Sequence, residues 1–442
     1  MARSAWRIGG CAAIAALLLA AAAGSVQAQF LQRLTSGVFA FEEGGYGVAV
    51  ASSGDRVAVS ELLGLTGGAP PVAGGAVEVW RREGAQLVRE QRLLSPLPGQ
   101  GHLFGIGLAM AGERLAVVER GASGSAGKVH VFERTGTVWQ HVAEVFPALP
   151  PAGAGVASVA LHGDWLLLGV TAGGAAGAPP GQVQAWQRVA GTWTLRQVLV
   201  PLDSSDGDGF GLRLALAPGE GAGAVLRLVA GAPFRFGARG AAYVFALAGD
   251  TWQQEQRLLL SMPAANDRLG VAVAIRGDTV AAGADGDEFG TAHGGRVGVW
   301  RRTGSGDFPW QPAGEFGGAE TAAFDRFGGA LALATPRDVV IGIPGRDLVP
   351  PVGPVLADAG AAQRRALGVR GSPCAVPWSL QVAGLGNPGA LAQAEARFGF
   401  AVDADRLVAI GAPNGNVPGV GRAGFVDVSV HDRLLDHDFD CP

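Results

Sequence analysis

Apolar runs long enough to cross a membrane are missing from this 442-residue chain after residue 28, so no spanning helix is expected beyond that point. Excess basic charge is missing too. Lys and Arg total 34 against 38 Asp and Glu, and Lys128 is the single lysine, which argues against a nucleic-acid partner. Catalytic signatures are absent: there is no Gly-x-Ser-x-Gly, no His-Glu-x-x-His and no paired-histidine metal spacing. The seven histidines are scattered, and no nucleophile and base stand together. Carboxylates distant in sequence can still meet in space as an acid/base pair. Gly127-Lys128 lacks the upstream Gly and the downstream Ser or Thr of a phosphate loop.

What the chain has in quantity is glycine, 72 residues, with only 16% charged residues. That composition suits short strands joined by tight turns. The stretch from Trp252 to Trp300 holds four short apolar runs separated by Gly, Asn, Asp and Pro, the pattern of a four-stranded antiparallel meander. The unit recurs seven times at spacings of roughly 52 to 71 residues. Each copy is anchored by an aromatic or leucine followed by Gly: Tyr46-Gly47, Phe104-Gly105, Phe210-Gly211, Leu269-Gly270, Phe327-Gly328 and Phe398-Gly399. A worn copy lies at Gly155-Val156. Second strands end in Gly-Ala or similar, with the literal Gly-Ala-Pro at Gly231-Ala232-Pro233 and Gly411-Ala412-Pro413. Third strands run to Trp80, Phe132, Trp186, Phe245 and Trp300, and fourth strands start near Trp139, Trp193, Trp252, Trp310 and Trp378. Two large aromatics per copy imply packing between adjacent units.

An aromatic-Gly start and a Gly-Ala-Pro finish resemble the FG-GAP repeats of integrin-alpha-like β-propellers, in their bacterial branch. The resemblance covers nearly all of the chain from residue 29 and implies an all-β, seven-bladed β-propeller of four-stranded antiparallel blades. It leaves function open, because the family uses the fold in many ways. The last copy lacks a fourth strand, whereas residues 30–34 read as one. The N-terminal strand is therefore expected to complete the seventh blade and close the ring.

Residues 1–28 read as a cleaved signal peptide: Arg3 and Arg7, an apolar core, then Val26-Gln27-Ala28 as the cleavage site. Removing two arginines leaves 34 − 2 = 32 basic against 38 acidic residues, a net charge of −6. The expected plan is a signal peptide at 1–28, a propeller at 29–430 and a short tail at 431–442. Cys11 opens the apolar core instead of following it, which disfavours lipidation. Cys374 and Cys441 are the candidate disulfide in an oxidising compartment; the other reading is two free thiols.

The integrin-like relatives carry Asp-x-Asp-x-Asp-Gly calcium loops in some turns between first and second strands, and here those turns are short and lack them. The remaining acidic cluster, Asp203, Asp206 and Asp208, is either a calcium site or a solvated turn. Asp285, Asp287 and Glu288 are weaker candidates, and Asp436, Asp438 and Asp440 read as an exposed tail. Arg276-Gly277-Asp278 spells an adhesion tripeptide, but its Gly-Asp aligns with the hairpin turns of the other copies. Two Gly-x-Gly-x-x-Gly matches, 384–389 and 419–424, sit in loops. Residues 345–372 form an irregular insertion in the sixth copy and a candidate specificity loop. No cofactor is expected apart from the calcium candidate. The resulting expectation is a secreted or periplasmic, non-enzymatic and adhesion-like binding module, monomeric, with a protein or glycan ligand on a propeller face. The alternatives are an extracellular enzyme acting on polysaccharides or phosphoesters through carboxylates on one face, and a purely structural envelope protein.

Overall fold

The computed structural model describes residues 29–36, 45–63, 74–97, 102–120, 125–174, 177–221, 223–286, 294–304, 306–317, 322–347, 359–367, 378–380, 396–397, 399–414 and 424–430. They form seven four-stranded antiparallel sheets arranged as the blades of a β-propeller. Blades 1 to 6 span residues 46–94, 103–145, 155–199, 214–258, 272–317 and 330–380, each a simple meander. Blade 7 combines the three strands within 401–430 with the N-terminal strand Gln29–Leu34, which pairs with Phe425–Val430. The signal-peptide residues, both candidate disulfide cysteines, Asp287, Glu288, Phe398, the 384–389 glycine motif and the acidic tail lie outside the described residues. No helix among the described residues is long and apolar enough to cross a membrane.

The N-terminal strand closes the ring as expected. The Arg33 guanidinium donates from Nε and Nη2 to the two carboxylate oxygens of Asp427 at 2.6 and 2.7 Å and lies 3.8 Å over the Phe425 ring. Leu34 is fully buried. Gln32 accepts the Leu87 N–H of blade 1. A meander left with a bare third strand would expose a full row of unpaired backbone groups, and this arrangement removes that edge.

The repeated glycines are explained by how blades meet. The backbone of Gly231, at the end of a second strand, runs against the anchor Gly270 of the next blade: a Cβ on Gly231 would lie 1.9 Å from the Gly270 carbonyl oxygen. The ring-closing seam does the same, with Gly411 against Gly47 at 2.1 Å. No side chain fits there, so the aromatic-Gly and Gly-Ala-Pro motifs are two halves of one contact. The preceding aromatic is locked by a hydrogen bond across the seam, Phe104 N–H to Gly74 C=O, Phe210 N–H to Pro180 C=O and Leu269 N–H to Arg239 C=O. On the outer strands a glutamine clamps the next blade's tryptophan backbone in both directions. Gln91 holds Trp139, Gln197 holds Trp252 and Gln256 holds Trp310, all at 2.8 to 2.9 Å.

The seam between blades 2 and 3 departs from this plan. Val156 N–H donates to Ala126 C=O at 2.8 Å, so Val156-Ala157 occupies the anchor position, one residue later than the Gly155-Val156 read from the sequence. Val118 stands where the second strands of blades 3 to 7 have glycine and blade 1 has Ser60, and Ala143 where the clamping glutamine would be. Side chains fill the space instead: Val118, Val156, Leu161, Leu166, Leu168 and Trp193 pack into one cluster. The insertion at 345–372 also differs from its reading, because Ala361–Ala366 within it is the third strand of blade 6. Its AAQRRA lacks the apolar alternation of the other third strands. Arg364 pairs with Asp338 and Arg365 reaches the Phe316 ring, which accounts for the charges.

Candidate functional site: the connection face and the central cavity

The first strands of all seven blades line a central cavity of about 950 Å³. Its walls are small and apolar, mostly Ala, Val, Leu and Ile, and its chemistry is confined to the two mouths. One mouth belongs to the face built from tight hairpins, the other to the face carrying the connections between blades and between second and third strands.

The hairpin mouth is cross-linked by polar contacts between blades. Arg276 of blade 5 reaches past blade 6 to Asp405 of blade 7, donating from Nη2 to Oδ1 at 2.8 Å. Asp405 also accepts the Gly54 N–H at 2.8 Å, and Asp403 accepts from both the backbone and the hydroxyl of Ser52. Burial pushes the Asp403 carboxyl up, and the Ser52 bonds pull against it. Asp278 lies 3.6 Å from Arg227. The Arg-Gly-Asp tripeptide is thus built into the scaffold at both ends, and Arg276 is a structural strut.

The connection mouth is cationic. Arg213, Arg326 and Arg397 line the cavity there together with Asp285, and Asp285 is paired with Arg268 at 3.0 Å. Among the described residues no carboxylate is bonded to Arg326 or Arg397. Burial holds the Arg213 guanidinium below its ordinary range, opposed by the charge of Asp285. The residue before each anchor sits at positive φ in five blades. Gly45 and Gly209 fill it in blades 1 and 4, with φ of 66° and 69°. Blades 5, 6 and 7 instead use Arg268, Arg326 and Arg397, with φ of 61°, 56° and 54°. An arginine in that region costs on the order of 1–2 kcal/mol relative to a relaxed backbone.

The same face carries the exposed apolar side chains. Leu97, Phe146, Leu149, Leu202, Phe236, Met262, Phe324 and Phe400 all lie on its connections. On the hairpin face the only comparable described side chain larger than valine is Phe308. Such segregation marks a surface that meets another molecule.

The three aspartates of the acidic loop part company. Asp208 is buried, accepts the Ser205 N–H at 2.7 Å and pairs with Arg235 at 2.9 Å. Burial raises its carboxyl above the ordinary range, against the pull of Ser205 and Arg235. Asp203 pairs with Arg257 and accepts the Tyr243 hydroxyl at 3.1 Å. Burial pushes its carboxyl up, but Arg257 outweighs this and holds it below the ordinary range. Asp206 faces solvent. Two guanidiniums therefore occupy the space around Asp203 and Asp208. Asp208 also has counterparts two residues before the anchors of blades 5 and 6: Asp267 accepts the Ala264 N–H at 2.6 Å and Asp325 the Ala322 N–H at 2.8 Å. The recurring Asp-x-(Phe/Leu)-Gly was visible in the sequence and identifies a turn-closing carboxylate.

The scattered histidines are not all apart. His130 and His141 belong to one copy and meet on adjacent strands of blade 2, whereas the sequence reads the histidines as scattered. Their positions follow the strand register, which spacing along the chain does not display.

Residues 252–297 match the family model described as FG-GAP repeat. The chain carries an FG-GAP repeat. The matched stretch runs from the fourth strand of blade 4 to the third strand of blade 5 and contains the anchor Leu269-Gly270. The glycine-to-glycine contact of Gly231 and Gly270 recurs at five of the seven seams of this propeller. No curated protein shows a significant match to the chain.

Proposed function

We propose that the chain is an exported, non-enzymatic interaction module that binds a partner protein or glycan on its connection face, at the cell envelope or outside the cell. The observation that carries this reading is the placement of Arg268, Arg326 and Arg397 at positive φ around the connection mouth. The fold uses glycine at the same position in blades 1 and 4, so arginine is held there at a conformational cost that the scaffold does not require. Guanidiniums recognise oxyanions with two parallel hydrogen bonds to a pair of oxygens, and the surrounding apolar side chains add contact area. The ligand group at the mouth is accordingly a carboxylate or sulfate of a protein or an acidic glycan. FG-GAP repeats are typical of extracellular or envelope proteins, which agrees with reading residues 1–28 as a cleaved signal. The acidic loop contributes a further proposal: calcium at Asp203, Asp206 and Asp208 would have to displace Arg235 and Arg257.

The test is the double variant Arg326→Gly/Arg397→Gly, assayed for binding to immobilised polygalacturonate and dextran sulfate. Glycine fits positive φ, so stability is expected to hold or to rise by up to about 1 kcal/mol, while binding falls at least tenfold. Binding equal to wild type, or none by either protein, contradicts the proposal. Phe308→Ser on the opposite face leaves binding unchanged. An N-terminus at Gln29 in the protein recovered after export, read by mass spectrometry, tests the signal reading.

A further inference from the structure

Blade 2 holds a cluster that the repeat does not need. His130, on the third strand, is fully buried, and its Nε2 lies 2.8 Å from Oε2 of Glu119. The other oxygen of Glu119 is engaged by Nδ1 of His102 at 2.7 Å. A carboxylate only accepts, so His130 donates from Nε2 and its Nδ1 carries the free lone pair. That Nδ1 points at two further donor atoms on the fourth strand, Nε2 of His141 at 3.1 Å and Oε1 of Glu144 at 3.5 Å. The three ligand atoms all lie within 4.8 Å of one another. His141 is exposed and Glu144 half-buried, so one side of the group opens to solvent.

We propose that His130 Nδ1, His141 Nε2 and Glu144 Oε1 form a zinc site on the outer strands of blade 2. With metal–ligand bonds of about 2.0–2.1 Å, atoms at the corners of a tetrahedron are about 3.3 Å apart, close to the two separations from His130 Nδ1. Two imidazoles and a carboxylate suit zinc and its neighbours in the first transition row, not calcium or magnesium. Glu119 supplies the outer support typical of such sites, fixing the tautomer and the orientation of a ligating histidine. The fourth corner faces solvent and takes water. Lys128, the chain's single lysine, bonds Glu144 Oε1 at 2.8 Å and is the competing cation, since zinc must take the oxygen that its ammonium now holds.

The site is tested by titrating zinc into the tag-free chain from residue 29 against a chromophoric chelator, and by the visible absorption of the cobalt(II) form. One ion per chain is expected, with the intense bands of tetrahedral cobalt. His141→Ala, at an exposed position that folding tolerates, is expected to weaken binding at least about 100-fold, and Glu119→Gln about 10–100-fold. Lys128→Met tightens it several-fold by removing the competing charge. Unfolding curves of His141→Ala and Lys128→Met that match wild type separate metal loss from misfolding. Absence of stoichiometric zinc in the wild-type chain overturns the proposal. So does zinc binding that His141→Ala and Glu144→Gln both retain at full strength.

Discussion

The seams between blades 4 and 5 and between blades 2 and 3 solve one geometric problem with different chemistry. At the first, Gly231 and Gly270 bring two backbones into contact, Gln256 clamps Trp310, and Glu255 accepts the Trp310 indole N–H at 2.9 Å. At the second, the corresponding places hold Val118, Ala157 and Ala143, and the space between the blades is taken by apolar side chains. Both seams keep the same crossing hydrogen bond, from Leu269 in one and from Val156 in the other. The repeat motif is thus one way to bring blades together, and losing it does not open the ring provided that side-chain volume replaces backbone contact. Where glycine is given up, chemistry can enter. Glu61 and Glu119 sit in blades 1 and 2 at the position of the alanine in Gly-Ala-Pro, both buried, and Glu119 organises the His130 cluster.

The largest test of this contrast exchanges the two solutions. Gly231→Val puts a Cβ into the Gly270 carbonyl and is expected to cost more than about 4 kcal/mol or to abolish cooperative urea unfolding, because no flexible neighbour can yield. Val118→Gly empties a filled position and costs about 2–4 kcal/mol. Equal effects would break the comparison. Next, Leu168→Ala is expected to cost about 2–5 kcal/mol at the side-chain-filled seam. Its counterpart in blade 5 is Ala282, which has only a methyl group to lose. Third, Gln256→Leu leaves the Trp310 backbone N–H and C=O without their partner and costs about 1–3 kcal/mol. Ala143→Gln at the other seam changes stability by less than about 1 kcal/mol.

The smallest expected effect is a pH dependence at the seam between blades 1 and 2. Burial pushes the Glu90 carboxyl up, but Arg134, the Trp139 indole and Arg56 outweigh this and hold it below its ordinary value of 4.5. A depressed carboxylate stabilises the fold above that ordinary value, and the contribution drains as pH falls toward the folded one. Wild-type stability therefore drops more steeply below pH 4.5 than that of Glu90→Gln. Parallel pH profiles would remove Glu90 from the seam. The matching residue of blade 2 is the exposed Val142, so the neighbouring seam has no equivalent titration.

The seven blades and the closing strand were legible because they are periodic: anchors, second-strand glycines and tryptophans recur in register, and the open last copy matches the N-terminal residues. The contacts that carry chemistry were not. His130 meets His141 diagonally, beside a bulge that shifts the register at Val131/Phe132, and chain spacing does not encode such a shift. Arg276 finds Asp405 across a channel mouth, 129 positions away. Asp203 reads as a free carboxylate until Arg235 and Arg257, far along the chain, close on it. Positive φ at Arg326 and Arg397 could have been suspected from Gly45 and Gly209 at the same offset from the anchor.

The most direct measurement is native-state hydrogen exchange of the two crossing amides, Val156 at the side-chain-filled seam and Leu269 at the glycine-stacked one. If side-chain volume replaces the glycine contact, both exchange only through opening of the whole ring and show similar protection free energies. Exchange of Val156 faster than Leu269 by orders of magnitude would contradict this and mark the seam between blades 2 and 3 as a weak joint.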